Sequence, residues 1–342
     1  MAPEQTQKAA ALTAAAQAGD DRAFEQLAGP MKRELHLHCY RILGSFHDAE
    51  DAVQQVLLNA WRGLAKYDAR ASFRTWMYRI ATNVSLDALR SRRRRVLPQD
   101  IGPARPAELG LGERRHDIPW LEPFPDGLLD APDPHSFTEL RESVRLAFVR
   151  ALQVLPPRQR AVLILGDVLD WPAAEIGLAL DTSTAAVNSL LQRARATVSR
   201  SRGEVIAAAD LAAAKADMAA RYVTAWEAGD IAAIVGMLTD DASHAMPPWP
   251  AWFVGRETLR AVYADYPIWG GQPGPGVFRI LTAPLNGELG FVEYCRETHD
   301  QPFQALALTI ALLDRTGTYI TEKVSFVSAD LVAAMGFPRT LA

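Results

Sequence analysis

Three stretches near the start of the chain carry residue types that suit binding to a protein and to nucleic acid. Residues 48–54 are rich in carboxylates and amides, residues 73–83 contain aromatic and cationic side chains, and arginines follow at 90 and 92–95. Carboxylates and amides on a helix can face a protein partner, whereas arginines bind phosphates and aromatic rings stack on bases. This order predicts a chain that holds a protein with one helix and contacts DNA with the next.

The first of these stretches belongs to a predicted helical bundle. Between residues 20 and 95, apolar side chains recur at three- and four-residue spacing, and strand signals are nearly absent. Gly44 and Ser45 interrupt the second helix. Asp48 is expected to cap the third helix, at the positive end of its dipole.

A polar strip is predicted on this third helix. Asp51, Gln54 and Gln55 fall within one helical turn, so they can face a partner together, next to Asp48. A solvated, capped first turn is the simpler alternative for the carboxylates. The two glutamines favour the partner-facing interpretation.

A fourth helix is predicted from residue 73 to about residue 89. Trp76 shares a stripe with Ile80, so we expect Trp76 to anchor the core rather than to stack on bases. Better candidates for contacting bases are Arg74, Tyr78, Asn83 and the exposed connection at 66–72. Phosphate contact is the economical explanation for the cluster of arginines beyond this helix: Arg90, Arg92, Arg93, Arg94 and Arg95.

Residues 97–141 are predicted to form an acidic, proline-rich linker. Eight prolines between residues 98 and 134 exclude a long helix. Trp120 and Phe124 place two large rings on this extended backbone, and flexible linkers seldom carry such rings without a surface that covers them. We expect residues 120–126 to be an interdomain docking segment.

A second helical module follows the linker. Residues 171–180 predict a short helix, 181–184 a turn and 185–195 a second helix, which is the spacing of a helix-turn-helix. Its second helix is expected to turn hydroxyls, amides and arginines outwards, a combination suited to base edges and phosphates in the major groove: Thr184, Asn188, Ser189, Gln192, Arg193 and Arg195. An ordinary helical hairpin with a polar surface is the alternative.

Charge alternates along the chain, although the net charge is only −4. Residues 1–98 contain 15 basic and 10 acidic side chains, and residues 99–141 contain 4 and 9. Residues 142–203 contain 8 and 5, and residues 204–342 contain 9 and 16. Two basic modules thus alternate with an acidic linker and an acidic tail. The basic modules suggest nucleic-acid binding, and the acidic segments could compete with nucleic acid for the same basic surfaces.

The residue composition fits a protein of a reducing compartment, and we expect the protein to hold no metal or cofactor. Cys39 and Cys295 lie far apart, so no disulfide framework is indicated. His36, His38 and Cys39 have spacings that do not converge on one helix face, so no metal site is expected. No apolar run approaches the length of a membrane span, and we expect a soluble, cytoplasmic protein.

Two blocks of the chain resemble the extracytoplasmic-function (ECF) sigma factors, small members of the bacterial sigma-70 family. Residues 20–95 look like sigma region 2 because of the sequences at 48–54 and 73–83. Residues 143–200 look like region 4 because of the sequences at 155–160 and 187–195. The two blocks stand in the expected order and at the expected distance.

This resemblance implies partners for the candidate residues. Region 2 would face the β′ clamp helices of RNA polymerase through Asp51 and Gln54, and would engage the −10 element through Arg74, Asn83 and the loop near Arg70. Region 4 would read the −35 element and touch the β flap.

The C-terminal third differs from a minimal sigma factor. An amphipathic helix at 218–230 precedes strand-like stretches at 277–282, 289–297, 304–313 and 318–327. This pattern resembles the SnoaL-like domain of the nuclear-transport-factor-2 superfamily, which implies a sheet wrapped by helices around a pocket. Carboxylate or imidazole catalysis could be proposed for four residues, but their spacing supports none strongly: His244, Glu293, His299 and Glu322. We favour a regulatory role, with a possible small-molecule ligand, over catalysis.

The predicted fold is therefore multidomain, with two all-α sigma modules followed by an α+β SnoaL-like domain. The expected boundaries are 1–96 for region 2, 97–141 for the linker, 142–203 for region 4 and 204–342 for the SnoaL-like domain. The leading hypothesis is a non-enzymatic sigma factor that directs promoter-specific initiation and is modulated by its own tail. A ligand-responsive helix-turn-helix regulator and a SnoaL-type enzyme fused to DNA-binding modules are the alternatives.

Overall fold

The computed structural model describes residues 3–90, 93–129, 134–201, 212–264 and 274–342. The chain forms two compact units. The first contains Met1–Arg94, Leu128–Ser143 and Ala147–Arg202, and the second contains Arg95–Gly127, Val144–Leu146 and Gly203–Ala342. The predicted linker is thus divided, because its part up to Gly127 belongs to the second unit and its remainder to the first.

Between residues 3 and 90, the N-terminal bundle of the first unit consists of five α-helices: α1 Pro3–Gln17, α2 Asp21–Ala28, α3 Lys32–Leu43, α4 Phe46–Gly63 and α5 Phe73–Arg90. Helix α3 ends at Gly44, whose φ of 69° is left-handed and favours glycine. Asp48, the residue predicted to cap α4, lies three residues after the observed N-cap. Ser45 is the N-cap and its side chain accepts the N–H of Asp48, so Asp48 lies in the first turn instead.

Helix α5 buries a different stripe from the one predicted. Met77, Tyr78 and Ala81 are buried, whereas Trp76 is only half-buried and packs against the rings of Tyr67 and Phe73. The prediction that Trp76 anchors the core was therefore wrong. So was the prediction that Tyr78 contacts bases, because its side chain is 2% exposed.

The helix-turn-helix module of the same unit contains α7 Leu146–Val154, α8 Pro157–Leu163, α9 Ala173–Ala179 and α10 Thr184–Ser201, preceded by α6 Pro134–Glu142. A π-helical turn, Ile164–Val168, extends α8. Gly177 permits the tight turn between α9 and α10, because a Cβ there would lie 2.8 Å from the carbonyl oxygen of Thr182.

The N-terminal bundle and the helix-turn-helix module share a packed interface. Ile42 of α3 belongs to the buried cluster built on Leu152 and Val162, and Leu86 and Leu89 of α5 pack against that cluster. Apolar burial of this kind is the main driving force for keeping the two modules together.

The C-terminal domain of the second unit, described over residues 212–264 and 274–342, combines four helices with a seven-stranded sheet. The helices are α11 Ala212–Ala228, α12 Ile231–Gly236, α13 Arg256–Ala264 and α14 Ala329–Ala334. The strands are β1 Leu238–Ala245, β2 Trp252–Val254, β3 Phe278–Thr282, β4 Leu289–Cys295, β5 Phe303–Leu313, β6 Ile320–Val327 and β7 Thr340–Leu341. The sheet order is β2-β1-β6-β5-β4-β3, with β7 beside β5 and only β1 and β6 parallel among these pairs.

The four strand-like stretches predicted from sequence correspond to β3, β4, β5 and β6. Strands β3 and β4 are joined by a tight hairpin whose turn, residues 285–288, we call the β3–β4 turn. Asn286 and Gly287 have φ values of 52° and 70° there, the left-handed pair that an Asn-Gly hairpin turn requires. Across the described ranges, no helix has the length and apolarity needed to cross a membrane.

Candidate functional site

The polar strip of α4 is exposed as predicted from sequence. Asp51, Gln54 and Gln55 are exposed, while Asp48 in the first turn is half-buried. Leu58, which sequence reasoning missed, continues the strip and is 50% exposed. Its position seven residues after Asp51 was the available signal, since positions i, i+3, i+4 and i+7 share a helix face.

Arg74 is held by other side chains of the bundle. Its guanidinium donates to the carboxylate of Glu34 at 2.7 Å and lies 4.9 Å from the centroid of the Tyr78 ring. The Tyr78 hydroxyl also donates to Glu34, at 3.2 Å. Burial and the nearby Glu34 carboxylate raise the pKa of Tyr78, so the hydroxyl stays protonated. The Glu34 carboxylate therefore competes with any other anion for the Arg74 guanidinium.

Asn83 and Arg90 are exposed on α5, and Arg93 and Arg94 are exposed beyond it. Arg90 pairs with Asp87 at 3.0 Å, an exposed contact that competes weakly with solvent and phosphate. Arg92 lies outside the described residues. Arg70 projects from the connection before α5 with 88% of its side chain exposed, beside Asp68 at 2.9 Å.

Arg95 does not share the exposure of its neighbours. Its guanidinium donates to the carbonyl of Trp120 at 2.7 Å and lies 3.9 Å from Glu122, and only 15% of the side chain is exposed. Val96 pairs with Trp120 in an isolated parallel bridge. The structure thus uses Arg95 to organise the linker, which contradicts its predicted place among the phosphate-binding arginines.

Helix α10 presents the predicted recognition face. Val187, Leu191 and Ala194 are buried, and Leu190 packs against the same core. The six predicted DNA-contacting side chains are all exposed: Thr184, Asn188, Ser189, Gln192, Arg193 and Arg195. Arg195 differs from the others because it pairs with Asp167 at 2.6 Å.

A buried arginine joins the two helical modules. Arg160 of α8 is 3% exposed and donates to Gln153 Oε1 at 2.6 Å and to the carbonyl of Leu155 at 3.2 Å. It also donates to the carbonyl of Ile42, near the C-terminal end of α3. Burial lowers the pKa of Arg160 to about 10, which leaves it charged at neutral pH.

The docking segment (residues 120–126) is held by the β3–β4 turn. Phe124 is fully buried, its N–H donates to Asn286 Oδ1 at 2.8 Å, and its carbonyl accepts from the N–H of Asn286 at 2.8 Å. Asp126 accepts the N–H of Gly287 at 2.8 Å. Trp120 is also buried, but its indole N–H donates within the linker, to the carbonyl of Arg115 at 2.8 Å.

The same turn holds the two residues just before α7. Asn286 Nδ2 donates to the carbonyl of Val144 at 2.5 Å. Glu288 is 5% exposed and accepts from Arg145 at 2.7 Å and from Lys215 at 3.3 Å. One turn therefore binds two segments that sequence reasoning had not connected. An Asn-Gly pair between strands was the available signal for the turn, though not for its partners.

Other parts of the linker also bond to the C-terminal domain. Trp252 Nε1 donates to the carbonyl of Gly102 at 2.9 Å, and the N–H of Arg105 donates to the carbonyl of Trp252 at 2.8 Å. Gln99 donates to Glu322 at 3.1 Å, and Leu111 belongs to the domain's apolar core. The linker between residues 95 and 127 is thus part of the domain surface rather than a free tether.

The acid–base candidates of the C-terminal domain are engaged in structural contacts. His244 is buried between Ser325 at 2.9 Å and Tyr263 at 3.1 Å, and burial lowers its pKa well below the usual value. Glu293 accepts from the Tyr222 hydroxyl at 2.8 Å and lies 3.8 Å from Lys323.

The two remaining candidates lie apart from these contacts. His299 is exposed and contacts Arg296 at 3.1 Å, and Glu322 accepts from the linker as described above. In the ranges that the structure covers, no group of three or more histidine, cysteine or carboxylate side chains is arranged to hold a metal ion.

Comparison with known proteins agrees with this architecture. Family profiles match Sigma-70 region 2 at residues 27–95, Sigma-70 region 4 at residues 145–198 and a SnoaL-like domain at residues 219–315. The ECF RNA polymerase sigma factor SigG of Mycobacterium tuberculosis is 43% identical, over 93% of this chain and 85% of SigG. The chain belongs to the ECF RNA polymerase sigma factors.

Two comparisons with a second sigma factor also cover most of this chain. SigJ of Mycobacterium tuberculosis, also an ECF sigma factor, is 30% identical over 76% of this chain and 78% of SigJ. The crystal structure of SigJ matches with a TM-score of 0.57 at 22% identity, covering 90% of this chain and 98% of that one. The fold of two helical sigma modules followed by a SnoaL-like domain is thereby confirmed. As a sigma factor, the protein directs promoter-specific initiation by RNA polymerase.

Proposed function

We propose that this sigma factor binds core polymerase through the exposed strip of α4, at the β′ clamp helices. Asp51, Gln54 and Gln55 supply a polar rim, and Leu58 supplies an apolar centre that is half exposed in the free protein. An apolar centre with a polar rim is the usual composition of a protein interface. Asp48 supports this surface from the first turn of the helix.

In this proposal, the −10 element is engaged by α5 and the segments on either side of it. Asn83 and the loop carrying Arg70 are exposed and reach bases, while Arg90, Arg93 and Arg94 bind phosphates. Arg74 contributes only after it leaves Glu34. Arg95 is withdrawn from this set, because its guanidinium is committed to Trp120 and Glu122.

The −35 element is assigned to the exposed face of α10. The exposure of this polar face is the single observation on which the proposal chiefly rests. Its apolar side is buried in the module, so its amides, hydroxyls and Arg193 are available at the surface in fixed positions. Amide and guanidinium groups are the side chains best suited to reading adenine and guanine edges. The β flap remains the proposed polymerase contact of this module.

The two DNA-binding surfaces must separate when promoter is bound. Asn83 of α5 and Leu180, four residues before α10 begins, line the same cleft of about 390 Å³. The −10 and −35 elements lie about 25 base pairs apart, or roughly 85 Å at ~3.4 Å per base pair. Simultaneous reading of both elements therefore requires the Arg160 contact with Ile42 to break, and polymerase binding is the proposed cause.

Control by the C-terminal domain is proposed to act through the linker. The β3–β4 turn holds Phe124 of the docking segment and Val144 at the entry to α7, so it restrains the chain on both sides of α6. A restrained linker limits the distance that region 4 can travel from region 2. The domain therefore regulates initiation in this proposal and does not catalyse a reaction, because His244 and Glu293 are bonded inside its core.

The proposed binding of polymerase and promoter is tested with purified protein and core RNA polymerase. A promoter is first selected from a random DNA library by the wild-type holoenzyme, and run-off transcription is then measured on it. Specific transcription that needs both the protein and core polymerase is expected. Sequence-specific DNA binding without polymerase, accompanied by no transcript, would instead support a ligand-responsive regulator.

A further inference from the structure

The loop at residues 67–72, just before α5, is exposed but internally braced. The Tyr67 hydroxyl donates to the carbonyl of Ala71 at 2.7 Å and closes the loop across its base. Ser72 Oγ accepts the N–H of Thr75 at 3.0 Å, which fixes the start of α5. Between them, Ala69 has a φ of 58°, a left-handed conformation that residues with a Cβ adopt only at a cost. Such a conformation needs support from its surroundings.

The Tyr67 ring provides part of that support. Its centroid lies 5.0 Å from that of Trp76 and 5.9 Å from that of Phe73, so the tyrosine is wedged against the first turns of α5. Aromatic contacts at these distances are favourable and orient both rings. With the ring fixed, the direction of the hydroxyl towards Ala71 is fixed as well.

Gln17 of α1 provides the rest of the support. It is the last residue of α1, and its Nε2 donates to the carbonyl of Leu64 at 3.1 Å and to the carbonyl of Tyr67 at 2.8 Å. The match to Sigma-70 region 2 begins only at residue 27. Gln17 therefore lies before the matched range, and it holds the chain at the point where the loop begins.

We propose that Gln17 and Tyr67 are positioning residues that set the base preference of −10 recognition. They hold the loop in one conformation, with Arg70 projecting from its tip, so that the loop loses little conformational entropy when DNA arrives. Neither residue needs to touch DNA for this effect. The inference rests on the proposed function of the loop near Arg70 in engaging the −10 element.

The test uses full-length holoenzyme and a set of promoters in which each −10 base is substituted individually. Tyr67→Phe keeps the ring and removes the hydroxyl, and Gln17→Met keeps the length and removes both donors. Each variant is expected to reduce discrimination at one or two −10 positions by about three- to tenfold, the effect of removing one or two hydrogen bonds. Preference at the −35 positions and affinity for core polymerase are expected to stay within about twofold of wild type, because Gln17 and Tyr67 contact neither the exposed strip of α4 nor α10.

Matched variants separate positioning from general damage. Tyr319→Phe removes the hydroxyl of an exposed tyrosine in the C-terminal domain and should leave the −10 profile unchanged. Gln17→Lys restores N–H donors on a longer side chain, so it should recover the −10 discrimination that is weakened in Gln17→Met. A Gln17→Lys variant that discriminates no better than Gln17→Met would overturn the role given to Gln17.

Arg70→Ala distinguishes failure of this inference from failure of the proposed function. If Arg70→Ala alters the −10 profile while Tyr67→Phe and Gln17→Met match wild type, the loop reads DNA without needing these braces and the inference is wrong. If Arg70→Ala and both positioning variants leave the profile unchanged, the loop does not engage the −10 element and the proposal on which the inference rests is wrong too.

Discussion

Two asparagines show how differently the same side chain is used in this protein. Asn188 lies exposed on the proposed recognition face of α10, whereas Asn286 is fully buried in the β3–β4 turn. Asn286 bonds Phe124 through its carbonyl oxygen and Val144 through its amide nitrogen. The exposed amide is available to a partner molecule, while the buried amide already has its partners in the same chain. Burial, and not residue type, separates recognition from assembly here.

Arginines follow the same division. Arg160 is buried and donates to acceptors in both helical modules, while Arg193 is exposed on α10. If the comparison holds, substitutions of the buried members should lower stability, and substitutions of the exposed members should lower DNA binding alone.

The largest effect is expected for Arg160→Met. The substitution leaves the buried carbonyls of Ile42, Gln153 and Leu155 without their donor, at a cost of about 3 kcal/mol or more in the stability of the helical unit. Urea denaturation followed by circular dichroism measures it. Arg158→Met, at an exposed position two residues earlier, is the control and should change stability by less than about 0.5 kcal/mol. Equal effects of the two substitutions would contradict the assignment.

Asn286→Ala should have the next largest effect. It removes the acceptor of the Phe124 N–H and the donor of the Val144 carbonyl, and it places alanine at a left-handed φ of 52°. Together these changes should cost about 2–4 kcal/mol and release the docking segment. Limited proteolysis of residues 120–126 reports that release. Asn188→Ala, as the matched variant, should leave the cleavage pattern as in wild type.

A smaller effect is expected for Arg193→Ala, and only on DNA. If Arg193 makes a bidentate contact with a base, its removal should cost about 1–3 kcal/mol of binding free energy and relax preference at one base pair of the −35 element. Binding of holoenzyme to promoters with single −35 substitutions measures this. A uniform decrease over all sequences would reassign Arg193 to phosphate contact.

The smallest and least sequence-dependent effect belongs to Arg93 and Arg94. Replacing both with glutamine should weaken binding to every promoter and lower the slope of log affinity against log salt by about 0.9 for each duplex phosphate that is no longer neutralised. Arg95→Gln is the internal comparison, because this side chain is only 15% exposed and bonds the linker. It should loosen the docking segment without changing the salt slope.

The helical modules were predictable because their signals are local. Apolar spacing gave α4 and α5, and the turn chemistry between α9 and α10 gave the exposed face of Asn188 and Arg193. The error over Tyr78 has a long-range cause. The Tyr78 hydroxyl is bonded to Glu34, 44 residues earlier, and helical spacing alone does not reveal such a partner.

The docking of the linker was only half predictable. Two aromatic rings in a proline-rich segment indicated that a surface covers them, but the partner Asn286 lies 162 residues from Phe124. Strand β1 was missed because its sequence is polar, with exposed Asp241 in its centre, and its pairing with β6 is also long-range. Arg95 was misassigned since a run of arginines looks uniform in sequence although burial divides it.

Promoter-dependent transcription by docking variants tests the proposed control by the C-terminal domain most directly. Three proteins are compared with the same core polymerase and promoters: the full chain, a chain truncated after residue 203, and the Trp120→Ala, Phe124→Ala double variant. Because the β3–β4 turn and the docking segment act together, truncation and double substitution should change transcription in the same direction. If both variants transcribe like the full chain at every promoter and salt concentration, the C-terminal domain does not control initiation through the linker.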